Sequence, residues 1–155
     1  MKPALIADCI SESLLMHWLV LEKECPLDVL FPPPFGIPVK APYYVDGDVL
    51  IYDHATLVQF LQERYPGEQL LPADPVSRAQ IRQACTLMSE PDIDVFKEVE
   101  AVMDTGTPYM AGREFSLLDI YVGTWLSAHY TPDSSSVASY WKRISSRAAF
   151  RKAIS

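Results

Sequence analysis

Residues 40–75 read KAPYYVDGDVLIYDHATLVQFLQERYPGEQLLPADP, and this run constrains the fold more tightly than any other part of the chain. Ala41-Pro42 is an X-Pro step, which pushes the backbone ahead of the proline into an extended conformation. A strand over 43–45 follows. Asp46-Gly47 then supplies a tight hairpin turn, because this pair accepts positive φ at little steric cost. A second strand returns over 49–52. Asp53 is placed to cap a helix, its carboxylate accepting the free amide groups of the first turn. Leu57, Phe60, Leu61 and Tyr65 fall on one face of that helix, and Pro66-Gly67 ends it.

On the N-terminal side, 4–7 reads as a short apolar strand and 8–13 as a polar turn. Leu14, Leu15, Trp18, Leu19 and Leu21 make an apolar helical face that ends near Lys23. Cys25-Pro26 breaks it, and 27–31 reads as a second strand, which completes a βαβ start. Residues 31–41 are FPPPFGIPVKA, with prolines at 32, 33, 34 and 38. Proline lacks a donor and clashes in a helix interior, so no crossover helix fits and extended, polyproline-like backbone is expected. A proline-rich composition shift over 70–75 marks a linker.

Beyond the linker, 76–103 carries one helical periodicity. Ile81, Cys85 and Met88 share a face, and Ile93, Phe96, Val99 and Val102 or Met103 continue the apolar stripe. Pro91 either kinks this segment or stands at the first position of a new helix. A loop covers 104–107. In Phe115-Ser116-Leu117-Leu118-Asp119-Ile120, Ser116 can cap the amide three residues on, while Asp119 reaches back to the Ser116 amide. This is a variant of the capping box, with Phe115 and Ile120 as its hydrophobic staple. Tyr121, Trp125 and Leu126 extend the buried face. After a loop at 134–136, Val137, Tyr140, Trp141 and Ile144 form an amphipathic helix, and 149–154 is a closing helical turn.

At 155 residues the chain fits one compact domain or two small ones. No apolar run approaches the ~20 residues that span a bilayer. Residues 1–20 lack the basic start and long apolar core of a signal peptide, so a cytoplasmic location is expected. The net charge of −7 disfavours direct nucleic-acid binding. That charge is uneven. After Asp133 there are five basic residues and no acidic one, so 1–133 carries −12. The basic end is either a solvated helix face or a partner surface. Cys9, Cys25 and Cys85 have unrelated spacings and form no CxxC or zinc pattern; free thiols and no metal site are expected. No phosphate loop, GxSxG or HExxH occurs, which leaves hydrolase and nucleotide-binding readings without support. His17 and His129 have no partners at catalytic or metal-ligand spacing.

The hairpin-then-helix unit, with its proline just before the first strand, resembles the second half of the thioredoxin-like domain of glutathione transferases. The βαβ start, the leucine-proline linker and the Ser116-x-x-Asp119 helix start, in this order, extend the resemblance over nearly the whole chain. The implied fold class is α+β. A thioredoxin-like domain lacking the family's second helix covers 1–72, and a reduced, all-helical domain of the family's C-terminal type covers 76–155. By the same resemblance Ala41-Pro42 is cis, and Ala41, Pro42, Asp53 and His54 are the glutathione-binding positions. Asp53-His54 stands where the family has an acidic-Ser pair for the γ-glutamyl end. A histidine there either bonds a carboxylate when protonated or fills the pocket. In active members a Tyr, Ser or Cys in the first turn after strand one holds the thiol. Here that turn is Cys9-Ile10-Ser11-Glu12-Ser13. Ser11 and Ser13 are the candidate catalytic donors, with helix capping as their other reading, and Glu12 sets a negative charge beside the would-be thiolate. The prolines replace the helix that contacts the glycine end.

Within the superfamily, Glu114-Phe115-Ser116-Leu117-Leu118-Asp119 and Glu63-Arg64-Tyr65-Pro66 look most like bacterial stringent starvation protein A. That group uses the fold to bind RNA polymerase and generally lacks transferase activity. Its surface Pro-His-Pro stretch is Gly67-Glu68-Gln69 here, and the C-terminal half is shorter by a helix. The resemblance implies a homodimeric interaction or regulatory module of the bacterial cytoplasm. Its partner would be a protein, the transcription machinery by analogy, and neither nucleic acid nor membrane. No cofactor would be required, and glutathione would bind weakly. The alternative is a weak glutathione transferase or another glutathione-dependent enzyme.

Overall fold

Gly47 turns the chain at φ 58°, and the two strands it joins lie antiparallel, with Tyr44 opposite Ile51, Val45 opposite Leu50 and Asp46 opposite Val49. The computed structural model describes residues 2–7, 11–31, 39–67, 69–133 and 135–155, and only the backbone of Ser11 and Glu12. Cys9 and the proline-rich segment 32–38, with its expected extended backbone in place of a helix, lie outside the described residues. The chain divides into two compact units, Met1–Glu68 with Lys152–Ser155, and Gln69–Arg151.

The first unit contains β1 (Ala4–Ile6), α1 (Ser11–Glu22), β2 (Asp28–Leu30), β3 (Tyr43–Asp46), β4 (Val49–Ile51) and α2 (His54–Arg64). The sheet order is β2-β1-β3-β4. Among the described strands only β1 and β2 are parallel, as the helical crossover α1 between them requires. Together with the helical second unit this is the expected α+β, thioredoxin-like arrangement. One expectation fails: α1 already begins at Ser11, so 11–13 is helix rather than turn. Polar first-turn residues carry no apolar period, and so they read as loop. At its other end α1 closes through Glu24, at φ 52°. The amides of Glu24 and Cys25 donate to the Leu21 and Val20 carbonyls, a left-handed closure usually given to glycine.

Strand alternation sorts the sheet's side chains onto two faces. Tyr44 points toward α2: its hydroxyl lies 3.3 Å from that of Tyr65, and its ring packs on Phe60 at 4.8 Å. Leu57, Val58 and Leu61 are the buried residues of α2. Val58 therefore joins the apolar face, and Phe60 is only half-buried. On the other face Tyr43 packs with Ala4, Ile6 and Ala41. Tyr43 has no exposure, and its hydroxyl has no hydrogen-bond partner among the described residues. Burying an unpaired hydroxyl costs about 1–3 kcal/mol. Tyr43→Phe is accordingly expected to leave stability unchanged or raise it by up to about 1 kcal/mol, read from the urea midpoint. A clear loss would mean that the hydroxyl is bonded.

The second unit holds α3 (Pro75–Met88), α4 (Val95–Met103), α5 (Leu117–His129), α6 (Ser136–Ser145) and α7 (Ala148–Ile154). The single periodicity read over 76–103 is thus two helices. Pro91 neither kinks a helix nor starts one; it lies in the turn between them. Each helix has an aspartate cap: Asp74 accepts the Ser77 amide at 2.9 Å and Asp94 the Lys97 amide at 3.2 Å. The new start shifts the phase of α4, which buries Val95, Val99 and Met103. The helix α5 packs against α3, α4 and α6. Its buried residues include Ile120, Val122, Gly123 and Leu126, while Tyr121 and Trp125 are only half-buried. The expected reciprocal cap is present, with Ser116 and Asp119 each bonding the other's end of the first turn. Cys25 and Cys85 are buried free thiols, which burial pushes up to about 11 and about 12.

Candidate functional site

The sheet has two ends, and each gathers a different set of side chains. At the first end β3 and β4 pair as far as Tyr44 with Ile51, so Pro42, two residues before Tyr44, and Asp53, two residues after Ile51, leave the ladder at the same end. The β1–β3 ladder ends there too, at Ile6 with Tyr43, with Ala7 and Pro42 next beyond it. The end of β1, the start of β3 and the start of α2 therefore converge, and α1 begins four residues beyond Ala7. The Ala41-Pro42 peptide is cis, as expected, and both residues are buried.

Asp53 is exposed and caps α2. Its Oδ2 accepts the Thr56 amide at 3.0 Å and the Thr56 hydroxyl at 2.6 Å. These bonds hold its carboxyl below the ordinary carboxylate value. His54 is half-buried at the first helical position. Ser13 is 1 % exposed in the first full turn of α1, enclosed by protein and presented to no open surface. The side chain of Ser11, like Cys9, lies outside the described residues. Asp53, Ala41 and Pro42 are thus brought to one end of the sheet with His54 beside them, and Ser13 is withdrawn into the core. Asp53 can offer a ligand only its Oδ1 without giving up its cap.

The opposite end was not legible in the sequence as a site. Pro3 precedes β1, Lys23 and Glu24 follow α1, and Arg64, Tyr65, Pro66 and Gly67 follow α2. With Pro26 they line a groove of about 330 Å³. Lys23 is only 3 % exposed there, and the Arg64 guanidinium lies 5.1 Å from the centre of the Tyr65 ring. The wall closes because Gly67 has no side chain: a Cβ there would lie 2.9 Å from the Lys23 carbonyl oxygen. Backbone cannot yield as a side-chain tip can. Gly67→Ala is expected to cost about 1–3 kcal/mol by overpacking, seen as a lower thermal midpoint. An unchanged midpoint would mean that the two turns do not touch.

No family model matches the chain. It is 30 % identical to glutathione S-transferase F10 of Arabidopsis thaliana over 161 aligned positions, covering 77 % of this chain and 74 % of that protein. It is 24 % identical over 149 positions to a stringent starvation protein A homologue of Pasteurella multocida (strain Pm70), covering 78 % of this chain and 69 % of that one. In structure it matches the theta class glutathione S-transferase of Xanthomonas axonopodis pv. citri with glutathione bound, at a TM-score of 0.77 and 16 % identity, over 99 % of this chain and 98 % of that one. It also matches glutathione transferase Omega 3C of Trametes versicolor, at a TM-score of 0.78 and 19 % identity, over 99 % and 84 % of the two chains. A thioredoxin-like half followed by a helical half is thus a glutathione-transferase fold. The chain belongs to the glutathione S-transferase superfamily, with stringent starvation protein A homologues among its relatives.

Proposed function

We propose that this glutathione-transferase-like chain is a non-catalytic, protein-interaction or regulatory module of the stringent-starvation kind. The observation that carries this reading is the condition of the Pro42–Asp53 end. Asp53 holds its own helix through Thr56. His54 stands where the family has serine. Ser13, one of two candidate donors to a thiol, is enclosed. The groove of Arg64 and Gly67 supports the reading from the other side, because the exposed Arg64 stands there beside Gly67, the first residue of the segment that answers to the family's Pro-His-Pro stretch. A homodimer belongs to the same proposal. Val49, Leu50 and Tyr52, on and just after the edge strand β4, are 49 %, 37 % and 59 % exposed, a run of apolar surface suited to a second copy. So do a cytoplasmic location, a partner in the transcription machinery, and domain boundaries at 72 and 76.

A weak glutathione-dependent enzyme is the second reading, favoured by Pro42 and Asp53 leaving the β3–β4 ladder at the same end. Conjugation of glutathione to a chromogenic aryl halide separates the two. The expected result is no rate above the uncatalysed reaction. A glutathione-dependent rate that disappears in Asp53→Ala would make the enzyme the better reading.

A further inference from the structure

We propose that the groove where α1 and α2 end binds a small zwitterion, an apolar amino acid or dipeptide, with its carboxylate on Arg64 and its ammonium on Glu24. The inference stands apart from the interaction-module reading, because it follows from the groove's own walls and charges.

The left-handed closure at Glu24, with φ 52°, carries the chain out of α1, and the residues from Arg64 to Gly67 carry it out of α2. Gly67 presses these two exits together, since a Cβ there would lie 2.9 Å from the Lys23 carbonyl oxygen. Backbone therefore sets their spacing. Pro3, Pro26 and Pro66 form much of the wall. Their rings lock φ, so the wall has little freedom to lose when a ligand arrives. The volume of about 330 Å³ is at the small end of the range for small-molecule sites. Apolar walls with a few polar groups are the usual make-up of such a site.

Lys23 is 3 % exposed, so the open charges of the groove are Arg64 and Glu24, both exposed. A helix C-terminus carries partial negative charge, which makes Arg64 ordinary in the last turn of α2. Glu24 goes against that rule, for it adds a carboxylate to the negative end of α1. Arg64 and Glu24 line one groove, yet no ion pair joins them. Neither side chain hydrogen-bonds a protein group among the described residues. The Arg64 guanidinium lies 5.1 Å from the centre of the Tyr65 ring. That contact steadies the side chain and leaves its fork of donors open to a carboxylate. A simple anion would be opposed by Glu24, and a simple amine by Arg64. A molecule that carries both charges on an apolar body answers both, and its body meets the proline wall.

The test titrates the isotope-labelled full chain with L-leucine and with L-leucyl-L-leucine, followed through the amide resonances of Glu24, Cys25, Tyr65 and Gly67. At least one of the two is expected to bind with a dissociation constant below about 1 mM. Acetylating its amine or amidating its carboxylate should each weaken binding at least about tenfold. In Arg64→Gln the amidated form should bind as well as the free acid, and in Glu24→Gln the acetylated form as well as the free amine, each to within about twofold. Glu63→Gln, an exposed neighbour of Arg64, should keep both discriminations. The blocked ligands probe the same contacts on the unmodified chain, so a variant that fails to fold still leaves the question decided. The proposal is overturned if neither zwitterion binds, if the blocked forms bind as tightly as their parent, if the resonance shifts fall outside the groove, or if folded Arg64→Gln and Glu24→Gln discriminate as the unmodified chain does.

Discussion

Asp119→Ala is expected to lower stability by about 3–5 kcal/mol, the size typical of breaking a buried polar network from one side. Asp119 has no exposure. Its Oδ1 accepts the Met110 amide at 3.0 Å and the Tyr140 hydroxyl at 2.6 Å, and its Oδ2 accepts the Ser116 amide at 2.9 Å. Alanine leaves two backbone amides and a buried phenol without an acceptor, each an orphan costing about 1–3 kcal/mol, and partial relaxation keeps the total below their sum. It also unties three segments at once: the 109–112 turn, the start of α5 and the middle of α6. Burial raises the carboxyl above its ordinary value, against the pull of its donors and of Arg147. The folded state therefore holds this proton more tightly than the unfolded chain. The group's contribution to stability falls as pH rises from the ordinary carboxylate value through the raised one. Urea unfolding of the full chain, followed by circular dichroism, measures the loss. Tyr140→Phe removes one donor along with its bond and should cost only about 1 kcal/mol. A loss below about 1 kcal/mol in Asp119→Ala would show that the residue caps its helix and no more.

Half of this network was legible in the sequence. Ser116 and Asp119 are three apart, and local capping is written in short spacing. Tyr140 lies 21 residues from Asp119, and nothing in the sequence pairs them; its spacing marks it only as one more buried position on α6. The same contrast runs through the fold. The hairpin, its turn at Gly47 and the Asp53 cap follow from adjacent residues, and a turn centred on Gly47-Asp48 brings Pro42 and Asp53 out at the same end of the ladder. The break between α3 and α4 also had a local signal, the aspartate before Val95, but the apolar period across it was continuous enough to hide it. The groove at the far end of the sheet had none. It depends on the αL closure at Glu24 and on Gly67 approaching the Lys23 carbonyl, two turns far apart in sequence that meet only when the sheet and both helices are in place. The enclosure of Ser13 is of this kind too: a serine in a first turn reads as a donor, and only packing decides whether a ligand can reach it.

Glutathione is expected to bind with a dissociation constant above about 1 mM, equivalent to less than about 4 kcal/mol of binding free energy. If the glutathione positions are those the family resemblance implies, each end of the tripeptide meets a reason for weakness. At the thiol end Ser13 is enclosed, and its neighbour in sequence is the acidic Glu12, a residue type that disfavours a thiolate. At the glycine end the residues that would form the contacting helix are largely prolines at 32, 33, 34 and 38, whose rings and missing donors oppose a helix. At the γ-glutamyl end His54 replaces serine, and Asp53 already accepts two bonds from Thr56 through one of its two oxygens. A ligand amine that claimed the carboxylate would compete with the cap of α2. What remains is Oδ1 and the backbone beside Pro42. One such contact set seldom offsets the freedom that a flexible tripeptide and its site lose on binding. Calorimetric titration of the full chain decides the matter, with His54→Ser as the informative variant, since it restores the family's residue without touching the cap. Modest gain in that variant fits the subtractive argument. Micromolar binding by the unmodified chain, abolished in Asp53→Ala, would show instead that this end of the sheet is a working glutathione site and that the interaction-module reading is wrong.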